Sequence, residues 1–288
     1  MCELFCLASR LPTVATFSLQ TFAQHGGGKG RSVDGWGLAA YDDRDVRLYK
    51  EPEPAVDSDW LRFIEHRRLP SRLILSHIRR ATRGSVSLAN TQPFVRYLGN
   101  TAHIFAHNGD LGAFAVNAER RSPYFRVVGE TDSERAFCLL LERLAPLWKK
   151  TEPPSIDARR AIVERFAAEL RALGPASFLY ADGDAVFAHG DRRRQNDGIV
   201  APPGLWFLNR HCPIDHDALR DAGIAIEPRG TEQEVTLIAS VPLTSESWRP
   251  MWEGELLVVR DGRPLRQIAQ EKRATARFAG ATKNWVAI

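Results

Sequence analysis

Chemistry in this chain is concentrated at its start. Cys2 follows Met1, and removal of an initiator methionine before a small residue would leave Cys2 with a free α-amine. The reference pKa of such an amine, about 7.7–8.0, lies just below the thiol's value of about 8.5, so the amine can take the thiol proton near neutral pH. Nucleophile and base then come from one residue. Retention of Met1 would turn the amine into an amide and destroy the base. The bland counterpart is a small buried strand residue, and the choice between the two rests on what accompanies Cys2. The glycine-dense stretch at 25–32 is not a phosphate loop, because Ala23 stands where a Walker sequence needs glycine and Gly30 follows Lys29 where it needs Ser or Thr. Its reading is a mobile loop beside a site. His103 and His107 lie four apart on one face of a strand; without a third ligand nearby they read as packed, hydrogen-bonding side chains, and no metal is expected.

The companions of Cys2 are present. Met-Cys2-Glu3-Leu4, Asp34-Gly-Trp-Gly37, Ser76-His-Ile-Arg-Arg-Ala-Thr82, Asn90-Thr-Gln-Pro-Phe94, Phe105-Ala-His-Asn-Gly-Asp110 and Gly129-Glu-Thr-Asp-Ser-Glu134 follow one another along the chain. In this order they resemble the class II glutamine amidotransferases, whose glutaminase domains have the N-terminal-nucleophile hydrolase fold, and most closely the small stand-alone bacterial members called YafJ-like. The similarity extends through Ala239-Ser-Val-Pro-Leu-Thr244 and Glu253-Gly-Glu-Leu256, so it spans most of the chain.

The resemblance implies roles that suit the residue types. Cys2 is the nucleophile. Asn108 and Gly109 form the oxyanion hole, an amide side chain and a backbone N–H at a place where glycine permits close approach. Arg79 grips the substrate α-carboxylate with a planar fork that lysine cannot copy. Thr82 adds a hydrogen bond, and Asp132 holds the α-ammonium while also suiting the first turn of a helix. Trp36 walls the pocket, with core packing as the competing role. Two positions depart from the family pattern: His25 stands where many members have arginine, and Arg83 where other branches have histidine. The implied reaction is hydrolysis of the γ-carboxamide of glutamine through a Cys thioester, giving glutamate and ammonia, with no cofactor. An ammonia-accepting synthase would be a separate protein. The rivals are a stand-alone hydrolase of another γ-glutamyl amide and a non-catalytic binding or regulatory protein that keeps the fold.

Short β-rich segments at 2–8, 36–41, 46–49, 73–79, 101–106, 177–180, 185–189, 205–208, 235–239 and 256–259 predict strands, with Asp182-Gly-Asp184 as a hairpin turn. Thr131-Asp-Ser-Glu134 is a capping box opening a helix through 148; helical periodicity also marks 156–173 and 57–66. Strands and helices that do not alternate predict layered α+β packing. The resemblance makes this a four-layer αββα sandwich of two antiparallel sheets. At 288 residues, with 44% hydrophobic and 26% charged, the chain has material for one large core. It holds no apolar run of membrane-spanning length and no secretory n-region, so a cytoplasmic protein is expected. Four cysteines without paired spacing read as reduced thiols. The net charge of +4 belongs to residues 260–288, which carry seven Lys/Arg and two acids. The expected division is therefore a glutaminase unit at 1–259 and a basic end strand or tail at 260–288. That segment lacks the interleaved aromatics of a nucleic-acid platform, so nucleic acid is not an expected partner. Arg192, Arg193 and Arg194 read as an exposed turn.

Overall fold

The computed structural model describes residues 2–14, 21–22, 34–82, 84–112, 124–150, 152–195, 197–214 and 232–265. Met1, the glycine-dense stretch with His25, Arg83 and residues 266–288 lie outside them. In chain order come β1 (Glu3–Thr13), β2 (Trp36–Asp42), β3 (Asp45–Glu51), α1 (Asp59–Arg67), β4 (Ser71–Ile78), β5 (Phe94–Leu98), β6 (Thr101–Gly109), α2 (Asp132–Leu144) and α3 (Ile156–Leu173). They are followed by β7 (Ala176–Ala181), β8 (Ala185–Gly190), β9 (Arg193–Arg194), β10 (Val200–Ala201), β11 (Trp206–Pro213), β12 (Glu232–Ala239), β13 (Arg249–Pro250), β14 (Glu255–Arg260) and β15 (Arg263–Pro264). Two sheets result, ordered β13-β11-β12-β1-β4-β2-β3 and β15-β14-β8-β7-β6-β5, and their neighbours pair antiparallel.

The layers follow from the period of two along each strand. On β1, Leu4, Cys6 and Ala8 enter the cluster between the sheets, where they meet Ala102, Ile104 and Ala106 of β6. Their neighbours Phe5 and Leu7 face outward, onto Trp36 and Leu38 of β2 and Leu61 and Ile64 of α1. On β6, Phe105 faces outward, toward Phe137, Leu140 and Leu141 of α2 and Val163, Phe166 and Leu170 of α3. Helix, sheet, sheet, helix is the expected αββα order. Strand β6 turns Ala102, Ile104 and Ala106 inward and the rings of His103, Phe105 and His107 outward, where Phe105 seats the helices.

The helix starts carry their own signals. Ser58 Oγ accepts from Leu61 N at 3.0 Å to open α1, and Thr131 Oγ1 accepts from Glu134 N at 3.2 Å to open α2. The capping box is only half used, because Glu134 turns away to accept from Val128 N at 3.0 Å and Gly129 N at 2.7 Å and to pair with Arg96. It secures the chain entering the helix.

Four features differ from the sequence reading. Strand β5 was not anticipated, and β1 continues to Thr13 through a register shift after Ala8. Arg193 is not in an exposed turn: it lies in the β9–β10 ribbon, is buried, and donates through Nη1 to the Ser240 carbonyl at 2.6 Å. The expected division after residue 259 falls within β14, whose last residues Val259 and Arg260 pair with Pro264 and Arg263 of β15. No helix among the described residues is long and apolar enough to cross a membrane.

Candidate active site

Cys2 stands just before β1, beside the end of β4. Its neighbour Glu3 pairs with Ile78, which brings the thiol to the main chain of the next turn of sequence, residues 79–81. The half-buried sulfur lies 3.2 Å from the Arg80 carbonyl and 3.1 Å from the Arg80 amide. A thiol can donate to the first, and a thiolate can accept from the second, so the main chain of one residue serves both protonation states. Burial pushes the thiol above its ordinary range; the Arg80 hydrogen bond and the Arg79 guanidinium pull against it.

The 79–81 segment is clamped by the chain that leads into β2. Asp34 N donates to the Arg79 carbonyl at 3.3 Å, Arg79 N to the Gly35 carbonyl at 2.8 Å, and Ala81 N to Asp34 Oδ2 at 2.8 Å. Gly35 is required here, with φ of +130° and a Cβ position 2.8 Å from the Glu51 carbonyl. Arg79 itself is buried, with Nη1 on the Ser85 carbonyl at 3.0 Å and Nη2 near the Gly84 carbonyl at 3.4 Å.

The second sheet delivers Asn108, whose Nδ2 donates to the Cys2 carbonyl at 2.6 Å. Asn108 and Gly109 close β6 as paired strand residues opposite Ser177 and Ala176, not as a free turn. A Cβ on Gly109 would lie 1.8 Å from the Pro175 carbonyl, so glycine is needed for close packing against the α3–β7 junction. Gln92 holds the same strand from its other edge: Oε1 accepts from His107 N at 2.6 Å and Nε2 donates to the His107 carbonyl at 3.2 Å. Asp132 opens α2 and is buried, with Oδ2 accepting from Leu111 N at 2.8 Å and Oδ1 from Ser133 N at 2.8 Å. It ties the chain after Gly109 to the helix start.

Cys2, Asn108 and the segment carrying Arg79 are thus joined directly, and Asp132 is joined to them through Leu111. Two other expected site residues stand outside these hydrogen bonds. Trp36 shares its register position with Ile78 and packs with Phe5, Leu38 and Ile78 in the outer cluster, its Nε1 donating to Glu51 Oε2 at 2.9 Å. That face is opposite to the one that Leu4 and Cys6 occupy, and the contacts Trp36 makes there are those of the core role set beside the pocket wall. Thr82 is exposed. His103 and His107 are spent in the outer layer: His103 Nδ1 meets Tyr180 Oη at 2.7 Å and Nε2 the Leu98 carbonyl at 3.1 Å, and His107 Nδ1 meets Ser133 Oγ at 2.9 Å. Asp34, Gln92, Asn90 and Glu130 are structural partners of the site to which sequence reading gave no role, although each sits inside a block already singled out.

Comparison with known proteins shows the family and the fold. The chain matches the family described as glutamine amidotransferases class-II over residues 1–282. It is 34% identical over 259 residues to the provisionally named glutamine amidotransferase YafJ of Escherichia coli (strain K12), covering 88% of this chain and 96% of that one. A crystal structure of a predicted glutamine amidotransferase from Pseudomonas aeruginosa PA01 is 31% identical, with a TM-score of 0.64 over 92% of this chain and 100% of that chain. The glutamine phosphoribosylpyrophosphate amidotransferase of B. subtilis, at 16% identity and a TM-score of 0.58, covers 92% of this chain and 49% of its own, and shares the fold. The chain belongs to the class II glutamine amidotransferases and has the N-terminal-nucleophile hydrolase fold.

Proposed function

We propose that this chain is a glutaminase that works through an N-terminal cysteine. The observation that carries the reading is the seat of Cys2, with the Arg80 amide on its sulfur and Asn108 Nδ2 on its carbonyl. In this reading Met1 is removed, and the α-amine of Cys2 takes the thiol proton. The thiolate attacks the γ-carboxamide carbon. The second N–H of Asn108 Nδ2 and the Gly109 amide receive the oxyanion, and the amine returns its proton to the departing nitrogen, which leaves as ammonia. Water, deprotonated by the same amine, then attacks the thioester carbon; sulfur leaves and glutamate is released. Arg79 takes the α-carboxylate, Thr82 adds a hydrogen bond to it, and Asp132 takes the α-ammonium. A separate synthase consumes the ammonia. The reading places the enzyme in the cytoplasm, where its unpaired cysteines stay reduced.

The test is glutamate release from L-glutamine and a panel of γ-glutamyl amides by protein whose Met1 is shown by mass spectrometry to be absent. Wild type should release glutamate from L-glutamine and Cys2→Ala should not. A correctly processed wild type no more active than Cys2→Ala on every compound would overturn the reading, and activity confined to another amide would change the leaving group.

A further inference from the structure

Arg79 begins a loop that carboxylates fasten at two places, Asp34 at Ala81 and Glu130 at Ser85. Glu130 Oε2 accepts from Ser85 N at 2.9 Å, from Ser85 Oγ at 3.2 Å and from Asn90 Nδ2 at 3.2 Å. Asn90, 1% exposed, closes the circuit, with Nδ2 donating to the Ser85 carbonyl at 3.0 Å and Oδ1 accepting from Glu130 N at 2.7 Å. Both main-chain groups of Ser85 are therefore used: the amide by Glu130, the carbonyl by Asn90 and by the Arg79 guanidinium. Contact between the two segments is close. A Cβ on Gly129 would lie 2.3 Å from Asn90 Oδ1 and 2.9 Å from the Ala89 carbonyl.

Geometry gives this circuit a direction. Residues 129–132 carry Glu130 at one end and Asp132, the first residue of α2, at the other. The same short segment that presents Asp132 also fixes, through Ser85, where the Arg79 guanidinium stands. We infer that Glu130, seated by Asn90, is a positioning residue that sets Arg79 relative to Asp132 and so makes the site selective for a substrate with an intact α-amino acid head. The inference rests on the glutaminase reading for the roles of Arg79 and Asp132. Hydrogen bonds, that to the Ser85 amide foremost, hold the Glu130 carboxyl below its usual range, so it remains an acceptor at neutral pH.

The experiment is a double-mutant cycle on processed protein, read as KM and kcat for L-glutamine, with L-glutamate binding to the Cys2→Ala background by calorimetry as a readout independent of turnover. Glu130→Ala should raise KM and weaken glutamate binding about 10-fold to 100-fold, the size of a lost hydrogen bond to a charged group, with kcat nearly unchanged. Glu130→Gln, which keeps an acceptor oxygen, should recover most of the loss. Glu130→Asp, which keeps the charge and withdraws the oxygen by one methylene, should not. In an Arg79→Ala background the Glu130→Ala penalty should vanish, because Glu130 acts through Arg79. Additive penalties, an unchanged KM, or an equal fall in kcat would overturn the inference while leaving glutamate release by the wild type, and thus the proposed function, intact. A wild type without glutaminase activity whose Cys2→Ala form also fails to bind glutamate would overturn both.

Discussion

At the scale of single residues, the division of labour between Asn108 and Arg79 is testable because the two touch different stages of the reaction. In the proposed reaction Asn108 meets the substrate oxygen fully only when that oxygen is charged, so Asn108→Ala should lower kcat by about 10²-fold to 10³-fold with a small change in KM. Arg79→Lys keeps a charge but loses the fork, and should raise KM while leaving kcat much closer to wild type. Steady-state kinetics on glutamine separates them; a KM effect for Asn108→Ala without loss of kcat would remove it from the oxyanion role. Cys2, Asn108 and Arg79 stood out as candidates because the chemistry each could do is local to a short block: a nucleophile, a donor, a fork. For Trp36 the choice between pocket wall and core is not written in the sequence, because block membership does not say which face of a strand a residue occupies; its register with Ile78 puts it in the outer cluster. Asp34, Asn90 and Glu130 gave no signal of their own. Asp34 reaches Ala81 across 47 residues, Glu130 reaches Ser85 across 45 and Asn90 reaches Glu130 across 40, and only folding brings such pairs together.

At the scale of elements, most of what positions the site was written in periodicity. Strand alternation on β1 and β6 and the helical repeat of α3 were visible because burial on one face imposes them. Strand β5 escaped because Phe94–Leu98 is a sheet edge whose residues are mostly half-exposed, so the apolar run that marks a central strand is missing. Strand β6 shows what an element contributes to chemistry: it carries Asn108 only if its end can lie against the α3–β7 junction. The Pro175 carbonyl occupies the place of a Gly109 side chain, and that carbonyl belongs to the main chain, so no rotamer relieves the clash. Gly109→Ala should therefore shift the end of β6, lowering the melting temperature and kcat together. Differential scanning calorimetry alongside glutamate release checks this, and a variant with wild-type melting and wild-type kcat would show that the junction yields without cost.

At the scale of the whole molecule, the two sheets bury histidines that stay neutral, which sets how the fold responds to acid. Burial lowers His77 on β4 to a pKa of about 3, with Arg79 and His107 adding to the effect. Burial likewise lowers His103 on β6 to about 3, opposed by the Leu98 carbonyl and assisted by Arg159. His189 on β8 falls to about 4 by burial, opposed by the Ala176 carbonyl and Asp191, with Arg171 and His107 on the lowering side. An unfolded histidine titrates near 6.5, so between about pH 6.5 and these folded values the unfolded chain binds protons that the folded chain refuses. Stability from these groups is complete above about pH 6.5 and is lost as pH falls. Each contributes a slope of up to about 1.4 kcal/mol per pH unit, and the three together about 4, a large share of a typical domain stability. Asp182 works in the opposite sense, since burial raises its carboxyl and its protonation favours the folded state as pH falls; it is a single group set against four histidines, because burial lowers His107 too. Carboxylates in general titrate lower, so the interval from pH 7 to 5 isolates the histidines. The melting temperature should be nearly level from pH 8 to 7 and fall steeply by pH 5. Neither ring nitrogen of His77 meets a hydrogen-bond partner among the described residues, so an apolar side chain of similar size can replace it without orphaning another group. His77→Leu should remove about one quarter of the acid slope, since burial lowers His107 as well. Equal melting temperatures at pH 7 and pH 5, or a slope untouched by that substitution, would show that the buried imidazoles do not govern the acid limit of this fold.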